Sequence, residues 1–114
     1  MEKAAGAMGA IQFSKGKMME KSEILQKLTE YKKTSQGKYH FERIGIFGSF
    51  ARGTEGEGSD IDVMIEQKEP DMFVLGNIKC DLEKIFGRKV DVVRIRDGMG
   101  AFLMERINRD GIYV

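Results

Sequence analysis

The chain has 114 residues, of which 41% are hydrophobic and 32% charged, and its formal net charge at pH 7 is +1. This composition is typical of one soluble globular domain. The near-zero net charge argues against strong nucleic-acid binding, and no apolar run approaches about 20 residues, the length that a membrane span needs.

A single cysteine, Cys80, excludes an intrachain disulfide and a multi-cysteine zinc site. Its thiol fits a reducing compartment, so we expect a cytoplasmic protein. Residues 1–18 are rich in Gly, Ala and Lys and lack the apolar core of a secretory signal. We expect residues 1–18 to be a disordered leader or tag, and residues 19–114 to form the folded domain.

The first half of the folded region predicts a helix followed by a strand. Apolar residues at helical spacing predict a helix over Glu20–Lys33, with Ser22 as its cap and Gly37 in the break that follows. Alternating apolar residues then predict a strand over Phe41–Phe47. A short helix is expected over Phe50–Arg52.

A glycine-rich loop is predicted over Gly53–Ser59, and a second strand over Asp60–Glu66. Because strand side chains alternate between faces, this strand has an apolar face and an acidic face. The apolar face contains Ile61, Val63 and Ile65, and the other contains Asp60, Asp62 and Met64.

The second half predicts a helix, a third strand, a short helix and an edge strand. Pro70 favours the start of the helix, Gly87 favours its end, and the expected core face contains Leu75, Ile78, Leu82 and Ile85. The third strand is expected over Lys89–Ile95. The short helix, Met99–Asn108, carries Phe102, Leu103 and Ile107, and Ile112–Val114 follows Gly111 as the edge strand.

This order predicts an α/β arrangement of the α+β kind, with a small mixed β-sheet flanked by helices. We find no internal repeat and no second domain in the sequence. The exposed edge strand invites pairing, so a homo-oligomer is possible.

Acidic side chains are the first candidates for chemistry. Asp60 and Asp62 share one strand face, and their mutual repulsion favours a bridging cation such as Mg²⁺. Asp60 alone is equally consistent with a turn residue, whereas Asp62 lies mid-strand, where aspartate is disfavoured. Asp91 lies within the third strand, where it either faces water or converges with the other two. Three converging carboxylates can hold two Mg²⁺ ions about 4 Å apart, an arrangement that stabilises displacement at phosphorus.

Gly48-Ser49 is the second candidate, because a glycine at the end of a strand lets the backbone approach a phosphate closely. A helix that begins here would also direct its free N–H groups at an anion. Arg52, one turn later, is in a position to reach a phosphate or ribose oxygen. Taken alone, Gly48-Ser49 is more often a plain turn.

Together these residues resemble a known family. Gly48-Ser49-Phe50-Ala51-Arg52-Gly53, then Ser59-Asp60-Ile61-Asp62 ten residues after Ser49, then Asp91 resemble the minimal nucleotidyltransferases of the DNA polymerase beta superfamily. The resemblance covers about Ile44 to Val114, and no motif position is lost. It implies the polymerase-beta-like nucleotidyltransferase fold.

The resemblance also implies roles for the motif residues. Asp60 and Asp62 would bind the metal ions, and Gly48 and Ser49 would hold the β- and γ-phosphates, with Arg52 as a further phosphate contact. Asp91 would join the second Mg²⁺ ion and act as general base toward an acceptor hydroxyl. The implied reaction transfers a nucleoside monophosphate, AMP if the substrate is ATP, and releases pyrophosphate.

The resemblance further implies a partner. Minimal members are often paired with a small helical HEPN-domain protein, and this chain would be the antitoxin that adenylylates the partner, binds it, or both. Two alternatives stay open. One is an antitoxin that only masks its partner, and the other is transfer to a small molecule of the aminoglycoside type.

Overall fold

The computed structural model describes residues 20–54, 59–96 and 98–114. The predicted leader, residues 1–18, lies outside these ranges, as does most of the predicted Gly53–Ser59 loop. Four helices and four strands alternate along the described residues. In chain order they are α1 (Lys21–Tyr39), β1 (Phe41–Phe47), α2 (Ser49–Arg52), β2 (Ile61–Gln67), α3 (Met72–Phe86), β3 (Val90–Arg94), α4 (Ala101–Asp110) and β4 (Ile112–Tyr113).

The four strands form one mixed sheet in the order β3-β2-β1-β4. β1 pairs antiparallel with both β2 and β4, whereas β2 and β3 run parallel. The predicted small mixed sheet with flanking helices is therefore confirmed. The predicted edge strand is β4, which pairs with β1 through Gly45–Tyr113 and Ile46–Ile112.

The two faces of the sheet carry different apolar clusters. The larger cluster lies between the sheet and helices α1 and α3, and it contains Ile61, Val63 and Ile65 of β2 as predicted. The smaller cluster packs Phe47 and Met64 against Met99 and Ile107, so α4 covers the opposite face. Asp62 and Met64 therefore share the α4 face, as the strand alternation predicted.

Helix α1 is longer than predicted. Ser22 is not its cap and Gly37 does not break it, because the helix begins at Lys21 and continues to Tyr39. Tertiary anchoring outweighs the helix cost of glycine here, since Tyr31 and Tyr39 both donate hydrogen bonds to Asp81 of α3, at 2.8 and 3.3 Å.

Helix α3 begins at Met72 rather than at Pro70. Its N-cap is Asp71, whose carboxylate accepts hydrogen bonds from the backbone N–H groups of Phe73 and Val74, both at 3.1 Å. Because this side chain satisfies two free N–H groups, it fixes the start of the helix at Met72. The predicted end at Gly87 is confirmed, because its N–H donates to the Glu83 carbonyl at 2.8 Å.

Two large apolar residues of the predicted helices lie at the surface. Ile85 is 38% exposed and Phe102 is 74% exposed. Both belong to helices whose buried stripes are narrower than the apolar pattern suggested, because Ile78, Leu82 and Phe86 make the contact in α3 and Ile107 makes it in α4. Within the described part of the chain, no helix has the length and apolar character that crossing a membrane requires.

Candidate active site

Strand pairing brings two of the predicted carboxylates side by side. Asp62 of β2 and Asp91 of β3 are direct register partners in the parallel pair, so their backbones lie about 4.8 Å apart and their side chains share a face. Asp62 also lies opposite Phe47, the last residue of β1. Asp60 is half-buried just before β2, two residues from Asp62, and Asp91 is exposed.

The chain before Asp60 is held by a contact from the end of α3. Arg88 donates a hydrogen bond from Nη1 to the Ser59 carbonyl at 3.0 Å, and its guanidinium lies 5.2 Å from the centre of the Phe50 ring. This contact ties the approach to β2 to the short helix α2. Among residues 20–54, 59–96 and 98–114, no three His, Cys, Asp or Glu side chains are grouped closely enough to hold a metal by themselves.

Gly48 closes the site on the side of β1. Its backbone has φ 79° and ψ −153°, a region that is almost restricted to glycine. A Cβ atom at this position would lie 2.2 Å from Oδ2 of Asp62 and 3.2 Å from Nη2 of Arg106. The turn therefore approaches the carboxylate so closely that only glycine fits.

Ser49 and Arg52 form the start and end of α2, directly after this turn. The Gly48 carbonyl accepts a hydrogen bond from the Arg52 N–H at 3.1 Å, and the Ser49 carbonyl accepts one from Thr54 at 2.9 Å. The Arg52 side chain donates from Nη1 to Oδ2 of Asp110 at 2.8 Å. The arginine predicted to contact phosphate is thus engaged with the end of α4.

Burial raises the pKa of the Asp62 carboxyl, and the neighbouring charges of Asp91 and Asp60 raise it further. The guanidinium groups of Arg106 and Arg52 act in the opposite direction. The raised pKa means that ionised Asp62 is held at a cost to the folded state, because desolvation and like charges both disfavour a carboxylate. Such a perturbed carboxyl beside a second one is typical of a functional site.

Two residues of the site were missed from the sequence. Nη2 of Arg106 lies 3.7 Å from Oδ2 of Asp62, and Asp110 binds both Arg52 and Arg109, which hold its pKa below the usual value. Arg106 and Asp110 follow Leu103 and Ile107 at three-residue spacing on α4. Charged residues on an otherwise apolar helix stripe were the signal that could have identified them.

The residues fit a divalent cation that is completed by phosphate oxygens. Two adjacent carboxylates, Asp62 and Asp91, are the donor set that Mg²⁺ uses when a substrate phosphate supplies the other ligands. The glycine-only turn at Gly48 brings the backbone close to the Asp62 carboxylate, where such a phosphate would bind. Among the described residues, Asp62 and Asp91 are the adjacent pair, and no third His, Cys, Asp or Glu side chain is grouped with them closely enough to complete a metal site.

Comparisons with known proteins show which family the chain belongs to. The sequence profile described as "Polymerase beta, Nucleotidyltransferase" matches residues 26–114. A Methanocaldococcus jannaschii protein named "Putative protein adenylyltransferase MJ1379" is 38% identical over 96 residues, which cover 82% of this chain and 96% of that protein.

Solved structures show the same fold. A structure described as "putative minimal nucleotidyltransferase" matches with a TM-score of 0.66 and 28% identity, over 85% of this chain and 98% of the other. A second, the tri-AMPylated Shewanella oneidensis HEPN toxin in complex with MNT antitoxin, matches with a TM-score of 0.60 and 18% identity, over 82% of this chain and 70% of the other. At that identity the second likeness shows the fold alone.

The profile match extends over most of the chain and includes the Gly48 turn, both carboxylate strands and α4. The resemblance inferred from the motif residues is therefore confirmed, and so is the enzyme class. The chain belongs to the polymerase beta nucleotidyltransferase family, and its fold is that of the minimal nucleotidyltransferases.

Proposed function

We propose that this protein is a Mg²⁺-dependent adenylyltransferase that moves AMP from ATP to a hydroxyl group of a HEPN-type helical partner and thereby acts as its antitoxin. The observation that carries the proposal is the pair Asp62 and Asp91, side by side on parallel strands, with Asp62 against the glycine-only turn at Gly48. Two carboxylates held together at an electrostatic cost favour a cation-binding, phosphate-transferring site over a solvated strand surface.

Asp60, Asp62 and Asp91 would hold Mg²⁺, which when bound neutralises charge on the triphosphate and orients it. The backbone at Gly48 and Ser49 would bind the β- and γ-phosphates. Asp91 is exposed, so its carboxylate is accessible to an acceptor hydroxyl and would accept that proton as the oxygen attacks the α-phosphorus. The products are the AMP-modified acceptor and pyrophosphate, and no covalent intermediate on the chain is required.

The acceptor is the finer part of the proposal. The name of the Methanocaldococcus relative supports a protein as acceptor. The Shewanella complex supports a HEPN protein in that role, because its toxin is tri-AMPylated and is bound to an antitoxin of this fold. A cytoplasmic location suits such a pair and the exposed free thiol of Cys80.

Intact mass spectrometry tests the proposal. The protein is incubated with the helical partner, Mg²⁺ and ATP, and a mass increase of one or more AMP units on the partner is expected. Asp62→Asn and Asp91→Asn should abolish the adduct, whereas Glu30→Gln, an exposed change on α1, should leave it intact. Failure to form the adduct with any nucleoside triphosphate would refute the catalytic function.

A binding module that masks the partner without modifying it is the second candidate. Its support is the exposed surface of α4, where Phe102 is 74% exposed beside a shallow groove. The groove is lined by Ala101, Phe102, Met104, Glu105, Asn108 and Arg109. If Asp62→Asn still neutralises the partner fully, masking is the function and modification is not.

A further inference from the structure

We propose that Arg106 binds the triphosphate of the substrate, and that in the free protein it is the counter-ion of Asp62. This inference rests on the proposed function, because it assigns a substrate-binding residue to the same site. It assigns to Arg106 of α4 the phosphate contact that the motif residues alone would have assigned to Arg52.

Arg106 lies between the turn and the carboxylates. Its Nη2 is 3.7 Å from Oδ2 of Asp62 and only 3.2 Å from the position that a Cβ on Gly48 would take. Its guanidinium carbon lies 5.4 Å from the centre of the Phe47 ring, at the end of β1. The charge is therefore located where the turn, the strand end and the carboxylate meet.

The donors of this guanidinium are available to a ligand. Guanidinium carries five N–H donors, and at 3.7 Å the contact with Asp62 is longer than a hydrogen bond. Within the described ranges, no hydrogen bond joins the Arg106 side chain to another residue, and the side chain is 32% exposed. A planar guanidinium can bind a phosphate through two parallel hydrogen bonds.

The guanidinium of Arg52, by contrast, is already engaged with a carboxylate. It donates a 2.8 Å hydrogen bond to Asp110, whose side chain is only 4% exposed. Releasing Arg52 to a phosphate would break this charge-assisted hydrogen bond and leave Asp110 with Arg109 alone. The geometry thus makes Arg52 a positioning residue that ties α2 to α4, and leaves Arg106 for the substrate.

This assignment predicts two effects of opposite sign. Arg106 repels a divalent cation that approaches Asp62, so replacing it should strengthen binding of the cation alone. The same replacement should weaken binding of the cation–triphosphate complex, because phosphate contacts are lost. A residue that only supported the fold would weaken both when replaced.

The test is isothermal titration calorimetry at pH 8 on Arg106→Ala and Arg106→Lys, with Mn²⁺ alone and with MgATP. For Arg106→Ala we expect the dissociation constant for MgATP to rise about 10- to 100-fold and that for Mn²⁺ alone to fall about threefold. Arg106→Lys keeps the charge but not the planar fork, so it should be intermediate for MgATP and near wild type for Mn²⁺.

Lys33→Ala is the matched control, because it also removes one positive charge, but from the exposed surface of α1, which packs on the opposite face of the sheet from α4. It should change both constants by no more than about twofold. The inference is overturned if Arg106→Ala and Arg106→Lys bind MgATP as the wild type does, or if both ligands are weakened together. If the wild type itself binds no MgATP, the proposed function fails as well.

Discussion

Replacing Gly48 with alanine is the sharpest test of how the site is built. The φ and ψ angles of Gly48 are 79° and −153°, a backbone conformation that costs a residue with a Cβ about 1–3 kcal/mol. The new methyl carbon would lie 2.2 Å from Oδ2 of Asp62, so the carboxylate or the turn must move by about 1 Å. Gly48→Ala should therefore lower the stability of the fold and also displace the Asp62 carboxylate.

The two effects are measurable separately. Each kcal/mol lost lowers the melting temperature by about 4–8 °C in a domain of this size, and thermal unfolding followed by circular dichroism measures it. A 1 Å displacement of a catalytic group can reduce turnover about 100-fold. The mass-spectrometric adduct assay, run below the melting temperature of the variant, measures that loss.

Gly87→Ala is the matched control. Gly87 also has a positive φ, 67°, but nothing lies within 4 Å of the position of its Cβ, at the far end of α3. It should cost about 1–2 kcal/mol through backbone strain while AMP transfer remains near wild type. Full activity in Gly48→Ala, or an equal loss of activity in both variants, would refute the role given to the close approach of the turn.

Three further predictions concern stability. Burial raises the pKa of Asp62, so the folded state loses stability as the pH rises through that pKa. Asp62→Asn should therefore add about 1 kcal/mol to the free energy of unfolding at pH 7. A gain of the same size at pH 3 would contradict this cause. Asp71→Ala should remove the cap of α3 and lower the unfolding free energy by about 1 kcal/mol, whereas Asp71→Asn should retain most of it in urea titrations. Gly45→Ala would place a Cβ 2.2 Å from the Ile112 carbonyl oxygen, which should loosen the pairing of β4 with β1. We therefore expect faster hydrogen exchange of the β4 backbone amides, and unchanged exchange would count against tight packing there.

Local patterns predicted the parts of the fold that local physics determines. The two faces of β2 followed from alternation, since Ile61, Val63 and Ile65 enter one cluster and Met64 enters the other. The length of α1 was not predictable in this way. Its middle and its last turn are held by hydrogen bonds from Tyr31 and Tyr39 to Asp81, 50 and 42 residues away along the chain.

The residues of the candidate site also fall into a group that local sequence predicted and a group that it did not. The motif identified Gly48 and the three aspartates, because their spacing is a feature of sequence alone. Arg106 and Asp110 act through partners that are distant in the chain, and the Arg52–Asp110 bond joins residues 58 positions apart. Helix periodicity can place Arg106 and Asp110 on the apolar stripe of α4, but their partners are decided only when α4 packs on the sheet.

The parallel register of β2 and β3 ties the position of the acidic pair to that of the apolar residues beside it. Asp62 and Asp91 stand abreast because Ile61 pairs with Val90 and Val63 with Val92. Those four residues lie in the core on the opposite side, and a slip of one position would turn Asp91 toward that core. The pairing of these apolar residues therefore fixes the position of Asp62 relative to Asp91. Substitutions that change the packing of Val90 or Val92, on the face away from the site, would move the two carboxylates apart.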